Sequence, residues 1–358
     1  HIWLPDAMSA PTPASAYLHS ATMVKAGIYL LARLNPVLGQ TEVWFWIFSS
    51  TGLITMLTGA YLGLKQNDLK ALLAYSTISQ LGVMVLLIGQ DTDIAFKALI
   101  IGVIAHALYK SALFLIAGIV DHSTGTRDLR RLGGLGRWMP YSMGIAILAG
   151  LSMAGLPPMF GFLAKETLLA TSIHPSLPET ISFIFPFGTV IAGALILAQA
   201  GLFVWNTFLG KPRDPGIKTH EAPWGMLITP MIPAVLSILL GLLPEPERLA
   251  TFFSNAAGAA FGGKVKVSLA LWAGLTVPLL LSVIAVSAGI LIFIFREQVR
   301  KIQSRIAPNF TLNYIYTVIL KVIDRLGILT TRIQVGKLRT YLTVMLISVI
   351  ILVLVFAK

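Results

Sequence analysis

Cysteine is absent from this chain of 358 residues, which excludes disulfides and thiolate metal sites. Charge is scarce too. Only 12% of the residues are Asp, Glu, Lys or Arg, against about 25% in a soluble domain. The deficit falls on one sign: 15 acidic residues stand against 27 basic ones, a net charge of +12. No RNA-binding motif accompanies that excess, so nucleic acid is a poor partner. The histidines are scattered and give no HExxH spacing, and the glycines of GGLG at 133–136 lack the preceding strand that a nucleotide fingerprint needs. No Ser/His/Asp arrangement is defensible, and neither a redox cofactor site nor a metal site is visible. A charged leader with a cleavage site is also missing. The chain opens on His1 and goes straight into IWLPDAMSAPTP, which reads as the start of a segment partway through a larger gene product.

What remains is apolar. Hydrophobic residues make up 56% and mean hydropathy is +0.81, the signature of a polytopic membrane protein rather than a soluble domain. The expected fold class is all-α: a transmembrane helical bundle of about nine spans, with a broken helix and a cytoplasmic-side amphipathic helix. The spans are expected at about 14–34, 43–64, 70–89, 94–120, 141–162, 181–209, 222–243, 269–295 and 341–356. Pro5, Pro11 and Pro13 delay the first helix until about Ala14. Gly155, Pro157 and Pro158 interrupt the fifth span, and such breaks are tolerated at membrane depth only where protein or a wet cavity satisfies the freed backbone.

Basic residues fall in alternate loops. Lys65, Arg127, Arg130, Arg131, Arg137, Lys211, Arg213, Lys218, Arg296, Arg300, Lys301 and Arg305 follow spans two, four, six and eight. The opposite stretches GQTE, GQDTD and HPSLPE carry no cation. The positive-inside rule places the basic set in the cytoplasm, with Arg248, Lys264 and Lys266 as exceptions. Between Asn309 and Val335, Asn313, Thr317, Lys321, Asp324, Arg325 and Arg332 form one polar stripe on an apolar helix. That pattern suits a helix lying in the interface.

The stretch 101–120, IGVIAHALYKSALFLIAGIV, organises the rest. His106 and Lys110 are four apart and share a helix face, in the middle of a span where a cation costs roughly 2.5–3.5 kcal/mol on insertion scales. An ionisable residue there reads as part of an ion or proton pathway; bonding to backbone carbonyls for structure alone is the rival. Lys25 lies halfway along its span, too deep for ordinary snorkelling. His19 is nearer the helix start, where a satisfied buried histidine competes as an explanation. Lys165 and Glu166 follow directly on the double-proline break. Lys70 opens a span beside a basic loop, where an orienting lysine is equally natural. Asp93 and Lys97 read as interfacial.

The segments HIWLPDAMSAPTPASAYLHSATMVKAG, NDLKALLAYSTISQLG, HALYKSALFLIAG and GLPPMFGFLAKETLL resemble the proton-translocating antiporter-like subunits of respiratory complex I and of Mrp sodium/proton antiporters. The lysine of MVKAG, LWAGLTVPLLLS at 271–282 and QVGKLRTYL at 334–342 are most similar to the A-type member of the Mrp set. The resemblance implies roles for several residues. Lys110 matches a central lysine of a broken helix in the second half-channel, and His106 its connecting partner. Lys165 matches the terminal lysine of the exit path, Lys70 a connecting lysine, and His19 a histidine bridging two half-channels. It further implies that the fourth span is discontinuous, with its symmetry partner upstream of His1. Residues 1–245 would be the second half-channel of the transmembrane domain and 246–358 a C-terminal extension. Two departures stand out: Ala273 occupies a place where a histidine is expected, and the chain stops after its last span at Lys358.

The function expected is proton translocation along His19, Lys25, Lys70, His106, Lys110, Lys165 and Glu166 in a Mrp-type cation/proton antiporter, with other membrane subunits as partners, protons and sodium as cargo and no cofactor. Alternatives are a proton-pumping subunit of a complex I-like oxidoreductase or membrane-bound hydrogenase, a secondary transporter of a small solute, and a structural scaffold. The expected location is the prokaryotic cell membrane, crossed several times.

Overall fold

A computed structural model describes residues 2–173, 183–217, 219–243, 247–306, 312–333 and 336–356. Several sequence features lie outside the described residues: Lys218, the stretch HPSLPE, Gln334, Val335, and the side chains of Asn313 and Arg332. Two compact units are present, Trp3–Ile306 and a second from residue 307 onward.

The first unit is a helical bundle. A short 3-10 turn precedes α1 (Thr12–Ser20), then a second 3-10 turn, Met23–Lys25, and α2 (Ala26–Leu38). They are followed by α3 (Glu42–Gly63), α4 (Leu69–Gln90), α5 (Asp93–Thr124), α6 (Pro140–Met153), α7 (Phe160–Ile173), α8 (Ile184–Val204), α9 (Trp224–Leu242), α10 (Glu247–Phe261), α11 (Val277–Ile294) and α12 (Arg296–Ile306). The second unit contains α13 (Leu312–Ile333) and α14 (Leu338–Phe356). Among the described residues there is no strand, only one isolated bridge between Asp68 and Asp128.

Seven helices are long and apolar enough to cross a membrane: α3, α4, α5, α8 with its last turn, α9, α11 and α14. The first and fifth expected spans are each split into two half-helices, α1/α2 and α6/α7, too short to qualify singly. Seven candidate spans among the described residues thus stand against about nine expected, the broken pairs lying where the first and fifth were expected. The fifth-span break falls at Gly155, whose φ of +66° suits glycine, and at Pro157–Pro158.

Two expectations about continuity are corrected. The first span is not one helix: after Ser20 the chain leaves α geometry until Ala26, although no proline or glycine marks the spot. The fourth span is not discontinuous. α5 runs unbroken for 32 residues, capped by Thr92, whose hydroxyl accepts from the Ala95 N–H, and closed by Gly125 at φ +68°. The eighth span, α11, also starts later than expected, at Val277, after a Thr276 cap. The amphipathic α10 was not expected, because its short, small-residue sequence is neither span-like nor loop-like. α13 falls on the polar-striped stretch.

Close helix approach holds the bundle together. α3 and α4 meet through glycines: a Cβ at Gly59 would come within 2.5 Å of the Ser79 nitrogen, and the Ser79 hydroxyl donates to the Met56 carbonyl at 2.8 Å. Backbones approach this closely in membranes through small residues, since lipid offers no hydrophobic drive between helices. The loops gather at two ends. At one, Arg127 pairs with Asp68 at 3.2 Å and Arg131 with Asp214 at 2.8 Å, while Arg300 of α12 donates to the Leu64 and Gln66 carbonyls and to Asn67. At the other, Asn35 donates to Asp91 at 2.7 Å and Lys97 to the Ser268 carbonyl at 2.6 Å. Basic loops that the sequence assigns to one side are therefore knit to each other.

Candidate functional site

The site is built along α5, which packs against both broken helices. Val103, His106, Lys110 and Phe114 recur at spacings of three and four and so share one face. That face meets the break between α1 and α2. Lys25, buried at the break, donates to the Ser20 carbonyl at 2.6 Å and across to the Val103 carbonyl at 2.9 Å. Ser20 ends α1, so its carbonyl is one of those a helix C-terminus leaves without an intrahelical donor. The lysine thus closes a backbone gap and ties it to α5.

One turn along, His106 is fully buried, its ring 5.5 Å from that of Tyr109. Neither nitrogen has a well-formed hydrogen-bond partner among the described residues, the Ser20 backbone making only a loose approach. The charges of Lys25, Lys110 and His19 all act on it. His19, also buried, sits against Phe114 at 5.7 Å and leaves Nδ1 without a partner among the described residues. Unpaired buried polar atoms are costly, and two histidines with spare nitrogens between two lysines are placed to accept protons or to hold water.

Lys110 is fully buried and reaches α4, where Nζ donates to the Leu73 carbonyl at 2.8 Å and to the Ser76 hydroxyl. Leu73 lies three residues beyond Lys70, about one turn away. Lys70 is buried at the start of α4, donates to the Ala10 carbonyl at 2.9 Å, and has Arg127, Asp121 and Asp68 as charged neighbours. It belongs to the basic end of the bundle.

The other flank of α5 borders a cavity of about 70 Å³ lined by Ser79, Gln80, Tyr109, Ser152, Gly155 and Lys165 among others. A water needs about 10–15 Å³ of such volume with polar partners, so the cavity has room for several. Lys165 lies on α7 just past the second break, with Nζ 5.9 Å from the Phe162 ring centre. Its side chain fills the space beside Gly155: a Cβ there would stand 2.9 Å from Lys165 Cδ. Glu166 turns toward Ser282 of α11 and Lys165, with Oε1 buried and unpartnered among the described residues.

The structure therefore brings His19, Lys25, His106 and Lys110 into one cluster between a broken helix and α5. Lys165 lies across the cavity at the second break, Glu166 beside it is directed toward Ser282 of α11, and Lys70 stands at the basic end. Tyr109 and Gln80 add to the polar lining of the cavity, and Ser76 accepts from Lys110. Ser76 and Gln80 are four apart on α4, a spacing that is readable, yet hydroxyl residues are too common in membrane helices for it to single them out. No group of His, Asp and Glu able to hold a metal ion occurs among the described residues.

Residues 1–192 match the family described as NADH:quinone oxidoreductase/Mrp antiporter, transmembrane. The A-type subunit of a Na⁺/H⁺ antiporter from Alkalihalophilus pseudofirmus is 40% identical over 98% of this chain and 47% of its own length. A probable K⁺/H⁺ antiporter protein of the A/B type from Rhizobium meliloti is 42% identical over 83% of this chain and 30% of its own. A chain in the structure of the Mrp complex from a Dietzia species superposes with a TM-score of 0.88 at 35% identity, covering 99% of this chain and 38% of that one. The chain thus spans about half the length of the first of these relatives, and less of the other two. Its apolar helices and its relatives make it an integral, multi-pass protein of the prokaryotic membrane. With more than half of its length matched by the family model, the chain belongs to the NADH:quinone oxidoreductase/Mrp antiporter transmembrane family.

Proposed function

We propose that this chain forms the proton-conducting part of a Mrp-type cation/proton antiporter, working with other membrane subunits. The observation that carries the reading is Lys110, a lysine fully buried at mid-span on a continuous helix between two broken ones. Lysine in that position is costly for structure alone. The surrounding groups support a relay: Lys70 at the basic end, Lys110 with His106, His19 and Lys25 in the middle, and the polar cavity leading to Lys165 and Glu166. A proton arriving at one such group changes the field at the next and shifts its affinity, so uptake and release alternate along the row.

Na⁺ is the cation this reading takes first, because the likeness that covers nearly the whole chain is to a Na⁺/H⁺ antiporter protein; the likeness to a K⁺/H⁺ protein makes K⁺ the alternative cargo. The test uses inverted vesicles containing the full-length gene product and its companion subunits. Collapse of a preformed ΔpH is followed on adding Na⁺ or K⁺, for the wild type and Lys110→Ala. Cation-dependent collapse lost in the variant is the expected result. A variant that assembles and exchanges at the wild-type rate would remove Lys110 from the path and leave the scaffold reading.

A further inference from the structure

Outside the relay, α6, α8 and α11 leave a groove of about 210 Å³ between them, lined without any polar surface. Its floor is made of small residues, Gly150, Ala200 and Gly201, and its walls include Leu151, Trp205 and Phe293. Both α8 and α11 are spans by length and composition, so the groove lies at hydrocarbon depth and suits an acyl chain. At its Trp205–Phe293 end the chemistry changes abruptly. The Arg296 guanidinium stacks on the Phe293 ring at 4.9 Å, and Phe293 in turn stands 6.1 Å from Trp205. Arg213 is anchored beside the same end, donating to Asn206 Oδ1 at 3.0 Å and to the Leu129 carbonyl. Arg300 follows one turn after Arg296, and the charges of both Arg213 and Arg296 act on it.

Among the described residues these three arginines donate to neutral acceptors: Arg296 to the Phe293 carbonyl, Arg213 to Leu129 and Asn206, and Arg300 to the 64–67 loop. None of them forms an ion pair among the described residues; the carboxylates nearby in sequence are Asp214, which pairs with Arg131, and the exposed Glu297. Arg213 and Arg296 both repel Arg300, and with no ion pair to any of the three among the described residues they leave a positive field where an apolar groove reaches the membrane surface. Guanidinium matches phosphate geometry and carries less hydration than ammonium.

We propose that the groove and its arginine end form a binding site for an anionic phospholipid, with an acyl chain lying along Gly150, Leu151 and Gly201 and the phosphate held by Arg296 and Arg213. Charge complementarity favours this occupant: the groove is wholly apolar, the cluster wholly cationic, and both are continuous through Phe293. Each guanidinium engaged should favour an anionic over a zwitterionic headgroup roughly fivefold.

The test is independent of transport. The full-length protein with its companion subunits is reconstituted in bilayers containing brominated phosphatidylglycerol or, at the same mole fraction, brominated phosphatidylcholine. Bromine quenches a tryptophan that it touches. The chain holds 7 tryptophans, so the Trp205 contribution is taken as the difference between wild type and Trp205→Phe. The expected result is stronger Trp205 quenching by phosphatidylglycerol, a preference lost in Arg213→Gln/Arg296→Gln, with quenching by both lipids lost when Leu151→Phe fills the groove. Equal quenching by the two lipids would mean ordinary annular contact and would overturn the proposal. So would a Trp205 silent to both, which would show the groove covered by a neighbouring protein, with an acidic side chain there as the anion. Failure here leaves the Lys110 reading intact, because neither arginine lies on the relay.

Discussion

Lys110 shows how a membrane protein places a lysine where hydrocarbon would reject its charge. The Leu73 carbonyl and Ser76 hydroxyl accept its protons, and hydrogen bonds to charged groups each contribute about 1.5–3 kcal/mol. Replacing a buried charge by an apolar group of similar shape is often neutral or stabilising. Lys110→Met is therefore expected to assemble normally, with stability within about 1.5 kcal/mol of wild type, while proton exchange falls by about 100-fold. Thermal denaturation in detergent beside the vesicle assay separates the two effects. Asp128, outside the membrane, supplies a pH signature. Its hydrogen bond from the Arg130 side chain holds its carboxyl below the ordinary carboxylate value. A carboxylate with a depressed folded pKa adds stability that is fully present above the unfolded value and lost as pH falls through the folded one. Hydrogen-exchange protection of the 121–140 loop is thus expected to stay level down to about pH 4 and fall below it. Asp128→Asn should remove that acid-side step at a cost of no more than about 1 kcal/mol. The candidate residues themselves were legible because a lysine amid aliphatic residues needs no fold to be noticed. Their acceptors were not, since Leu73, Ser20 and Val103 contribute backbone carbonyls that no side-chain pattern reveals.

At the scale of elements, the two breaks differ in how they are written. The α6/α7 break is spelled out by Gly155 and the double proline, and the sequence places it correctly. The α1/α2 break lies in ATMVK, with neither residue type; it rests on a contact with α5 that is distant in the chain, and local reasoning extends the helix through it. The unbroken α5 is the converse. Family resemblance argues for a discontinuity there, yet the stretch lacks proline, carries a Thr92 cap and ends on a left-handed glycine, and these local signals win. α10 was missed because amphipathic helices of small residues carry too little hydropathy to stand out. The second break yields a sharp prediction. In Gly155→Ala the residue must hold φ +66°, which costs an L-residue about 1–2 kcal/mol, and its methyl would press on Lys165 at 2.9 Å. Transport should fall about tenfold, with the cluster around Lys110 undisturbed. Restored exchange in a double variant with Lys165→Ala would show that Lys165 is a spacer there instead of a carrier.

At the scale of the whole molecule, the basic loops do more than orient the chain. Arg300 fastens α12 to the loop before α4 by three hydrogen bonds, at 3.2, 3.2 and 3.1 Å, and that loop carries Asp68, the cap of the helix on which Lys70 sits. Arg300→Ala should free α12, cost about 2 kcal/mol, and open the 64–68 and 296–306 segments to protease together; cleavage of only one would mean that they are not coupled. Alternation of charge along the sequence foretold which loops share an end of the bundle. It could not foretell the individual bonds, which depend on register between helices far apart in the chain.

The Lys25 contact at the first break has a mechanical side. A neutral amine keeps enough hydrogens to reach both the Ser20 and Val103 carbonyls, but it loses the charge assistance that makes such bonds roughly twice as strong. In the proposed relay the same two contacts would persist through a protonation cycle at Lys25 while their stiffness changed. The break would then act as a spring with one proton setting its constant: taut with the lysine charged, slack with it neutral, so that occupancy at a single atom would be felt as compliance of the helix that carries His19.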